Sequence, residues 1–247
     1  MKINGWDISE ANAKQWNVIP GSHSIENESE WVRGSPVPML LPNTLGLKTM
    51  KVTLLIRAEK DRQQILNQCS RILSRFLEPA ELILDGFLHS FYGILKKYSF
   101  EENPLNIWPL EANRAAKLTL EFNCYECGEV IEQTFGEGME HTVQNPGNLP
   151  SPVVVTITPL VGAASAVLTG ICKDPNTGEE LPVTVRELET GKAVILDGEQ
   201  GLFTQEGKNK AGDLEIWELP MLLPGENKIT INNARMDLIV KFRPRFM

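Results

Sequence analysis

The region after residue 150 constrains the fold of this 247-residue chain most strongly, because it consists of short segments in which apolar and polar residues alternate. In the last such segment, RMDLIVKFR, Met236, Leu238, Val240 and Phe242 fall on one face of a strand, with Asp237, Lys241 and Arg243 on the other. Turn-forming stretches such as DPNTGEE and DGEQG separate the segments, and no helical periodicity occurs among them. Short strands at this spacing predict a β-sandwich.

One stretch, KDRQQILNQCSRILSRFLEP, has the apolar periodicity of an amphipathic helix. Its apolar face consists of Ile65, Cys69, Ile72, Leu73 and Phe76. Asp61 and Gln64 have the spacing of a capping box, and Pro79 stops the helix. The sequence therefore predicts one helix over about residues 61–78.

A helix with one apolar face must cover a sheet, and two alternating segments supply strands for it. These segments are MKVTLLIRA and AKLTLEFNCYEC. Their predicted inward residues are Val52, Leu54, Ile56, Leu118, Leu120, Phe122 and Cys124. The segments AELILDG and HSFYGILKKYSFE are interpreted as a hairpin.

Residues 22–48 are rich in proline and glycine and have no helix-spaced apolar stripe, so we predict an extended arm. Residues 135–152 have the composition of a linker. We therefore expect two domains, residues 1–145 and 146–247. The predicted fold class is mainly β, with an N-terminal β-sandwich-like domain that carries one α-helix and the arm, followed by a C-terminal β-sandwich.

The composition argues against several classes of function. A net charge of −8 without a basic run argues against specific nucleic-acid binding, which relies on clustered Lys and Arg. Four cysteines are too sparse for a disulfide scaffold. The N-terminal stretch lacks the apolar core of a signal peptide, so we do not expect export by that route. The uncharged residues 142–172 are interrupted by Pro159 and Gly162, and we expect strands there rather than a membrane span.

The sequence contains no motif of a catalytic or phosphate-binding site. Its three histidines, His23, His89 and His141, have no acid or nucleophile at motif spacing nearby. A pair of carboxylates facing across a cleft, as in glycosidases, leaves no signature in a sequence and stays an alternative. We therefore expect a structural or binding protein rather than an enzyme, with no cofactor.

The stretch CYECG has the form of half a zinc knuckle, but a structural zinc site needs a second pair of ligands. Cys69 and Cys172 are isolated on a predicted helix and a predicted strand. On a continuous strand, a spacing of three puts Cys124 and Cys127 on opposite faces, where they could not share an ion. We expect no metal site, a buried Cys124 and a more exposed Cys127.

Trp217 is the candidate residue for contact with a glycan or a partner. In the segment LEIWEL, Leu214 and Ile216 share one face of a predicted strand, so Trp217 points to the other. A tryptophan on the outer face of a sandwich suits carbohydrate binding. It equally suits packing against a neighbouring subunit or a loop.

The C-terminal stretch ELPMLLPGENKITINNARMDLIVKFRPRFM is the most specific motif, with INGWDIS at the start and GNLPSPVVVTI before the second domain. Its characteristic residues are Pro220, Leu222, Pro224, Gly225 and Asn227. In their order along the chain, these motifs resemble the distal tail protein (Dit) family of siphophages and related prophages. The segment CYECGE departs from the family pattern.

The conformational preferences of its residues explain the turn within this motif. Pro224 and Gly225 suit positions i+1 and i+2 of a type II turn, where glycine supplies the positive φ. Asn227 can bond locally as the chain enters the next strand. We predict that this turn sets the register of the closing strands.

The resemblance implies a homohexameric ring, formed by the N-terminal domains, at the end of the tail tube. The ring would join the major tail tube protein to a tail-associated fibre or lysin protein. The C-terminal sandwich, galectin-like or similar to a carbohydrate-binding module, would face outward. The protein would belong to the virion tail tip, after assembly in the cytoplasm of the bacterial host.

In such a ring, an arm that cannot bury itself alone suits strand exchange with a neighbouring subunit. The expected interface residues are Trp16, Trp31, Met39, Leu40 and Leu41. The alternative is that the arm folds back on its own sheet. For the whole protein, the alternative is a carbohydrate-binding module that attaches the particle to host cell-wall polysaccharide.

Overall fold

The structure is a computed structural model that describes residues 1–26, 29–30, 39–40, 44–58, 61–102, 115–174 and 177–247. The chain divides into two compact units, Met1–Cys127 together with Met247, and Gly128–Phe246. The second unit begins earlier than the boundary predicted near residues 145–150. The reason is that the strands Ile131–Phe135, just before the glycine- and proline-rich stretch, and Glu140–Asn145, within it, pair with strands of the second unit.

The first unit contains nine strands and one α-helix in its described residues. The strands are β1 (Lys2–Ile3), β2 (Trp6–Asp7), β3 (Ala13–Glu26), β4 (Ser29–Glu30), β5 (Met39–Leu40), β6 (Thr44–Arg57), β7 (Ala80–Ile83), β8 (Ser90–Glu102) and β9 (Ala115–Cys127). The α-helix is α1 (Arg62–Leu73), and short 3-10 helices span Ile8–Ala11 and Ser74–Phe76.

Seven of these strands form one antiparallel sheet in the order β2-β1-β7-β8-β9-β6-β3, while β4 pairs with β5. The predicted β7–β8 hairpin is confirmed by their antiparallel pairing. The inward residues of β6 and β9 are fully buried, as their alternation predicts. In the register, Val52 lies opposite Leu120, and Leu54 opposite Leu118, so both strands present their apolar side chains to the same face.

The predicted helix is confirmed as α1 followed by a 3-10 turn. Asp61 is the N-cap, and its side chain accepts a hydrogen bond of 2.9 Å from the backbone N–H of Gln64. Ile65, Cys69 and Ile72 are buried against the sheet. Among the described residues, no helix combines the length and the hydropathy that a membrane-spanning helix requires.

Side-chain bonds tie β3 and the N-terminus to the turn between β7 and β8. The amide of Gln15 donates to the backbone carbonyl of Asp85 at 2.9 Å, and its oxygen accepts from the Asp85 N–H at 2.9 Å. The N-terminal ammonium of Met1 bonds the Asp85 carboxylate at 2.8 Å. The start of edge strand β3 is therefore fixed to the opposite part of the sheet.

The second unit is made of strands and turns, with one 3-10 helix, Ala211–Asp213, in its described residues. The strands are β10 (Ile131–Phe135), β11 (Glu140–Asn145), β12 (Ser151–Pro159), β13 (Ala163–Thr169), β14 (Val183–Leu188), β15 (Val194–Asp197), β16 (Leu202–Gln205), β17 (Lys208–Asn209), β18 (Leu214–Glu215), β19 (Met221–Leu222), β20 (Gly225–Ile231), β21 (Met236–Phe242) and β22 (Arg245–Phe246).

Two sheets form the predicted sandwich of the second unit. One has the order β10-β21-β12-β15-β16-β17, with β19 beside β12, and the other has the order β11-β20-β13-β14-β18. Alternate residues of both sheets are buried in one core, among them Val155, Val240, Leu168 and Ile229. Residues 142–172, for which the sequence predicted strands rather than a membrane span, supply the end of β11 and all of β12 and β13.

The turn at Pro224 and Gly225 has the predicted positive φ at its glycine. Gly225 has a φ of +89°, the positive value that position i+2 of a type II turn requires. The side chain of Asn227 accepts from the Leu223 N–H at 2.8 Å and donates to the carbonyls of Leu223 at 2.7 Å and Gly225 at 3.0 Å. The local role predicted for Asn227 is confirmed.

Candidate assembly surface

Strand β3 exposes apolar side chains at one edge of the first unit's sheet. The register between β3 and β6 shifts between Gln15 and Asn17, so Trp16 falls between the paired positions. A bulge of this kind takes a side chain out of the regular alternation, and Trp16 is 61% exposed. Ile19 on the same strand is also exposed. An edge strand with exposed apolar side chains favours pairing with another chain.

Trp16 also lines a pocket of about 620 Å³, which we call the Trp16 pocket. Its lining residues are Ser9, Asn12, Ala13, Lys14, Trp16, Leu55, Arg57 and Ala58. Its floor consists of the buried apolar side chains of Ala13, Leu55 and Ala58, whereas the two cations at its rim, Lys14 and Arg57, are exposed. Asn12 shapes this region: its left-handed backbone, with φ of +50°, ends the 3-10 helix, and its carbonyl accepts the Arg57 N–H at 3.0 Å.

The described parts of the predicted arm form an antiparallel ladder with each other. His23 lies opposite Lys48, and Ile25 opposite Leu45, as β3 and β6 continue beyond the rest of the sheet. The His23 side chain also bonds the Gly46 carbonyl at 2.8 Å. The arm is therefore not a single unpaired segment, because each half supplies the backbone partners of the other.

The residues predicted for strand exchange are only partly described. Met39 and Leu40 form β5, which pairs with β4 through Glu30 opposite Met39 and Ser29 opposite Leu40. Trp31 and Leu41 lie outside the described residues. Trp16 is thus the predicted interface residue whose side chain the structure places on the surface.

A second apolar surface of the first unit lies beside α1. It is a groove of about 580 Å³ lined by Leu66, Cys69, Ser70, Leu73, Ser74, Leu77, Tyr98, Phe100 and Leu118. The inner face of α1 packs on β6 and β9, whereas the groove follows the helix side next to β8. Leu77 is 86% exposed, and Tyr98 is also exposed. Leu66, Leu73 and Leu77 recur at helical spacing, so the sequence contained a signal for this second stripe.

A group of charges lies at the base of the arm. The Glu126 carboxylate accepts from Lys48 Nζ at 3.0 Å and from His89 Nδ1 at 2.8 Å. Burial by itself raises the pKa of Glu126, but the hydrogen bonds from His89 and Lys48 outweigh it and hold the pKa below its ordinary value. These bonds join the base of β6 to the end of β9.

The cysteines are buried thiols. Cys124 is buried as predicted, but the prediction of a more exposed Cys127 was wrong, because Cys127 is also fully buried. Its Sγ lies 3.3 Å from the Ser90 hydroxyl, across the β8–β9 pair. Burial raises the pKa of Cys124 to about 11, which keeps its thiol protonated at neutral pH.

The described residues contain no group of three or more His, Cys, Asp or Glu side chains that could hold a metal ion. All four cysteine side chains are buried. Burial also raises the pKa of Cys172 to about 12 and that of Cys69 to about 11. Such thiols are weak nucleophiles, since the thiolate is the reactive form.

Trp217 is exposed, but on a bend rather than on the predicted strand. β18 ends at Glu215, and Trp217 follows with 75% of its surface exposed. Leu219 and Met221 are also exposed, at every second position, while Pro220 between them is buried. Trp217 is therefore flanked along the chain by aliphatic side chains, a surface that fits an apolar protein contact as well as a sugar ring.

No protein-family model matches this sequence, and no curated protein matches it. Solved structures do match. The Dit protein (gp 19.1) of phage SPP1, described as a paradigm of hub adsorption apparatus in phages that infect Gram-positive bacteria, is 13% identical with a TM-score of 0.72. The match covers 99% of this chain and 98% of the SPP1 protein.

The baseplate of phage P2 in its activated conformation also contains a similar chain. With Ca, the match is 9% identical, covers 96% of this chain and 92% of the P2 chain, and has a TM-score of 0.53. The Sr form matches to the same extent, with a TM-score of 0.52. The resemblance that the sequence motifs indicated is confirmed in the fold: over nearly its whole length, this chain has the fold of the SPP1 Dit protein.

Proposed function

We propose that this chain is a structural hub protein of the tail tip of a siphophage or prophage. The observation that carries the proposal is the full-length match to SPP1 Dit, which covers almost all of both chains. The match includes both units and therefore supports a role for the whole chain rather than for one module. The SPP1 protein is described as part of a hub adsorption apparatus, and the P2 chains belong to a baseplate.

In this proposal, six copies form a ring through their first units. A ring needs a head-to-tail interface in which each subunit offers two different surfaces. The first unit has two candidates on different elements: the edge of β3 with the Trp16 pocket, and the groove beside α1. Because both are apolar at their base, each would gain stability by burial against a neighbour.

The ring would join the major tail tube protein to a tail-associated fibre or lysin protein. It would belong to the virion tail tip, after assembly in the cytoplasm of the bacterial host. The second unit, as a closed sandwich, would face outward. We assign no catalytic step and no cofactor to this chain, since its function would be to hold other tail proteins in place.

The test is the mass of the purified protein in solution by light scattering, with negative-stain images of the same peak. We expect a species of about six chains, seen as rings with a central hole. Trp16→Ala should lower the ring fraction at least tenfold. Trp217→Ala, which removes an equally large exposed side chain from the second unit, should leave it unchanged. A monomer that forms no ring even with the tail tube protein would contradict the proposal.

A second candidate function is binding of host cell-wall polysaccharide by the second unit. The exposure of Trp217 favours it, because an open indole face can stack on a sugar ring. Sedimentation with purified wall polysaccharide tests it: wild type should co-sediment, and Trp217→Ala should not. Equal co-sedimentation of Trp217→Ala would exclude Trp217 as the sugar platform.

A further inference from the structure

The Trp16 pocket has a basic rim in a chain whose net charge is −8. Lys14 and Arg57 are the two cations, and neither forms an ion pair with any residue that the structure describes. Several other cations of the same unit are paired, as Lys51 and Lys97 are with Glu121. A basic rim above an apolar floor suits a carboxylate next to an apolar side chain.

The first unit itself carries such a pair. Leu77 and Glu78 lie between the 3-10 helix Ser74–Phe76 and β7, and we call them the Leu77 corner. Leu77 is almost fully exposed, and Glu78 is exposed and has no ion-pair partner in the described ranges. Pro79 follows, and its ring restricts the backbone of the corner.

The Leu77 corner does not fill the Trp16 pocket of its own copy. Neither Leu77 nor Glu78 is among the residues that line the pocket, and both side chains are exposed. Two copies arranged head to tail can bring the corner of one copy to the pocket of the next.

We propose that the Leu77 corner of one copy docks into the Trp16 pocket of a neighbouring copy. Leu77 covers the apolar floor beside Trp16, and the Glu78 carboxylate pairs with Lys14 and Arg57. An arginine guanidinium and a carboxylate form short, charge-assisted hydrogen bonds. The inference rests on the proposed ring, for which it names one pair of contacting surfaces, and every copy uses both.

Disulfide trapping tests the contact directly. Lys14→Cys and Glu78→Cys chains, one with a tag that changes its mass, are mixed and oxidised mildly. We expect a cross-linked dimer of the two different chains and at least tenfold less dimer from either variant alone. The native thiols should not compete, because all four are buried.

The matched control replaces Lys14→Cys by Lys96→Cys. Lys96 is also exposed, has no ion-pair partner among the described residues and lies outside the pocket. Absence of the Lys14–Glu78 mixed dimer, or an equal yield from the Lys96 control, would overturn the proposed contact.

Charge reversal provides a second readout. Glu78→Lys should weaken self-association at least tenfold at low salt, and the chain that combines it with Lys14→Glu and Arg57→Glu should recover. Failure of the triple variant to recover would contradict the pairing. Rings without the mixed dimer would support the proposed ring and contradict this contact. A mixed dimer without rings would support the contact and contradict the ring. Absence of both would contradict both proposals.

Discussion

The two units bury their strands in different ways. In the first unit, one sheet has a single helix on one face, and its other face carries polar residues such as Lys51 and Glu121. In the second unit, two sheets cover each other, and alternate residues from both meet in one core. This difference supports the proposal that the ring forms through the first unit. A single sheet with one helix leaves an edge strand and apolar side chains such as Trp16 and Leu77 for a partner.

The largest expected effect on stability comes from a large-to-small substitution in the core of each unit. Phe122 is fully buried in the first unit and packs edge-on against Phe76, with ring centroids 5.1 Å apart. Phe122→Ala should lower the free energy of unfolding by about 3–5 kcal/mol, because it removes apolar contacts and leaves a cavity. Leu238→Ala, in the core of the second unit, should cost about 2–5 kcal/mol.

Hydrogen exchange resolved by residue checks whether the two cores are separate. Phe122→Ala should reduce protection mainly within Met1–Cys127, and Leu238→Ala mainly within Gly128–Phe246. An equal loss of protection in both units from either variant would break the comparison, since it would mean that the two cores unfold as one.

An intermediate effect is expected at the turn that closes the sandwich. Asn227 is buried and makes three hydrogen bonds to the backbone of Leu223 and Gly225. Asn227→Ala should destabilise the protein by about 2 kcal/mol, since it leaves partly buried backbone groups without their hydrogen-bond partners. Urea unfolding should show a lower midpoint with the same slope.

Asn227→Asp is the informative comparison for this turn. It keeps an acceptor for the Leu223 N–H but loses the donor to the two carbonyls. The carboxylate would also bring an unpaired negative charge next to those two carbonyl oxygens, so we expect Asn227→Asp to be less stable than Asn227→Ala at pH 7. A midpoint equal to wild type for Asn227→Ala would show that the turn does not depend on this side chain.

The smallest effect is expected at Glu126 in the first unit. Its pKa in the folded state lies below the ordinary value of 4.5, so its contribution to stability is present above that value and is lost as the pH falls through the folded pKa. Wild type should therefore have a higher Tm than Glu126→Gln at pH 7, and acidification below pH 4.5 should close the gap.

Thermal unfolding between pH 3 and pH 7 measures this difference. Glu129→Gln is the matched control, because Glu129 is exposed and has no ion-pair partner in the part of the chain that the structure describes. A gap between wild type and Glu126→Gln that stays constant down to pH 3 would argue against a stabilising role for the ionised carboxylate.

The features predicted well from the sequence depend on local chemistry. The N-cap at Asp61, the buried face of α1 and the turn at Gly225 each follow from residues close together in the chain. The alternating burial of β6, β9 and β21 follows from the two-residue period of a strand. For the assembly surface, the sequence indicated Trp16, and the structure shows it exposed.

The features that were missed depend on what lies across space. Cys127 is buried, although its spacing from Cys124 suggested the exposed face. The described residues of the arm pair as strands with the other half of the arm. The sequence pattern, from which we predicted an extended arm, did not indicate this pairing. Trp217 lies on a bend because β18 ends two residues earlier.

By itself, the sequence determined two β-rich regions, one amphipathic helix, and the turn that precedes the closing strands, because periodicity and turn chemistry act over a few residues. Only the tertiary structure decided where the second unit begins, which strand forms the edge, and that Lys14 and Arg57 meet Trp16 at one pocket. Those outcomes depend on the pairing of strands far apart in the chain, such as β3 with β6, and on the bulge at Trp16, which a local pattern does not specify.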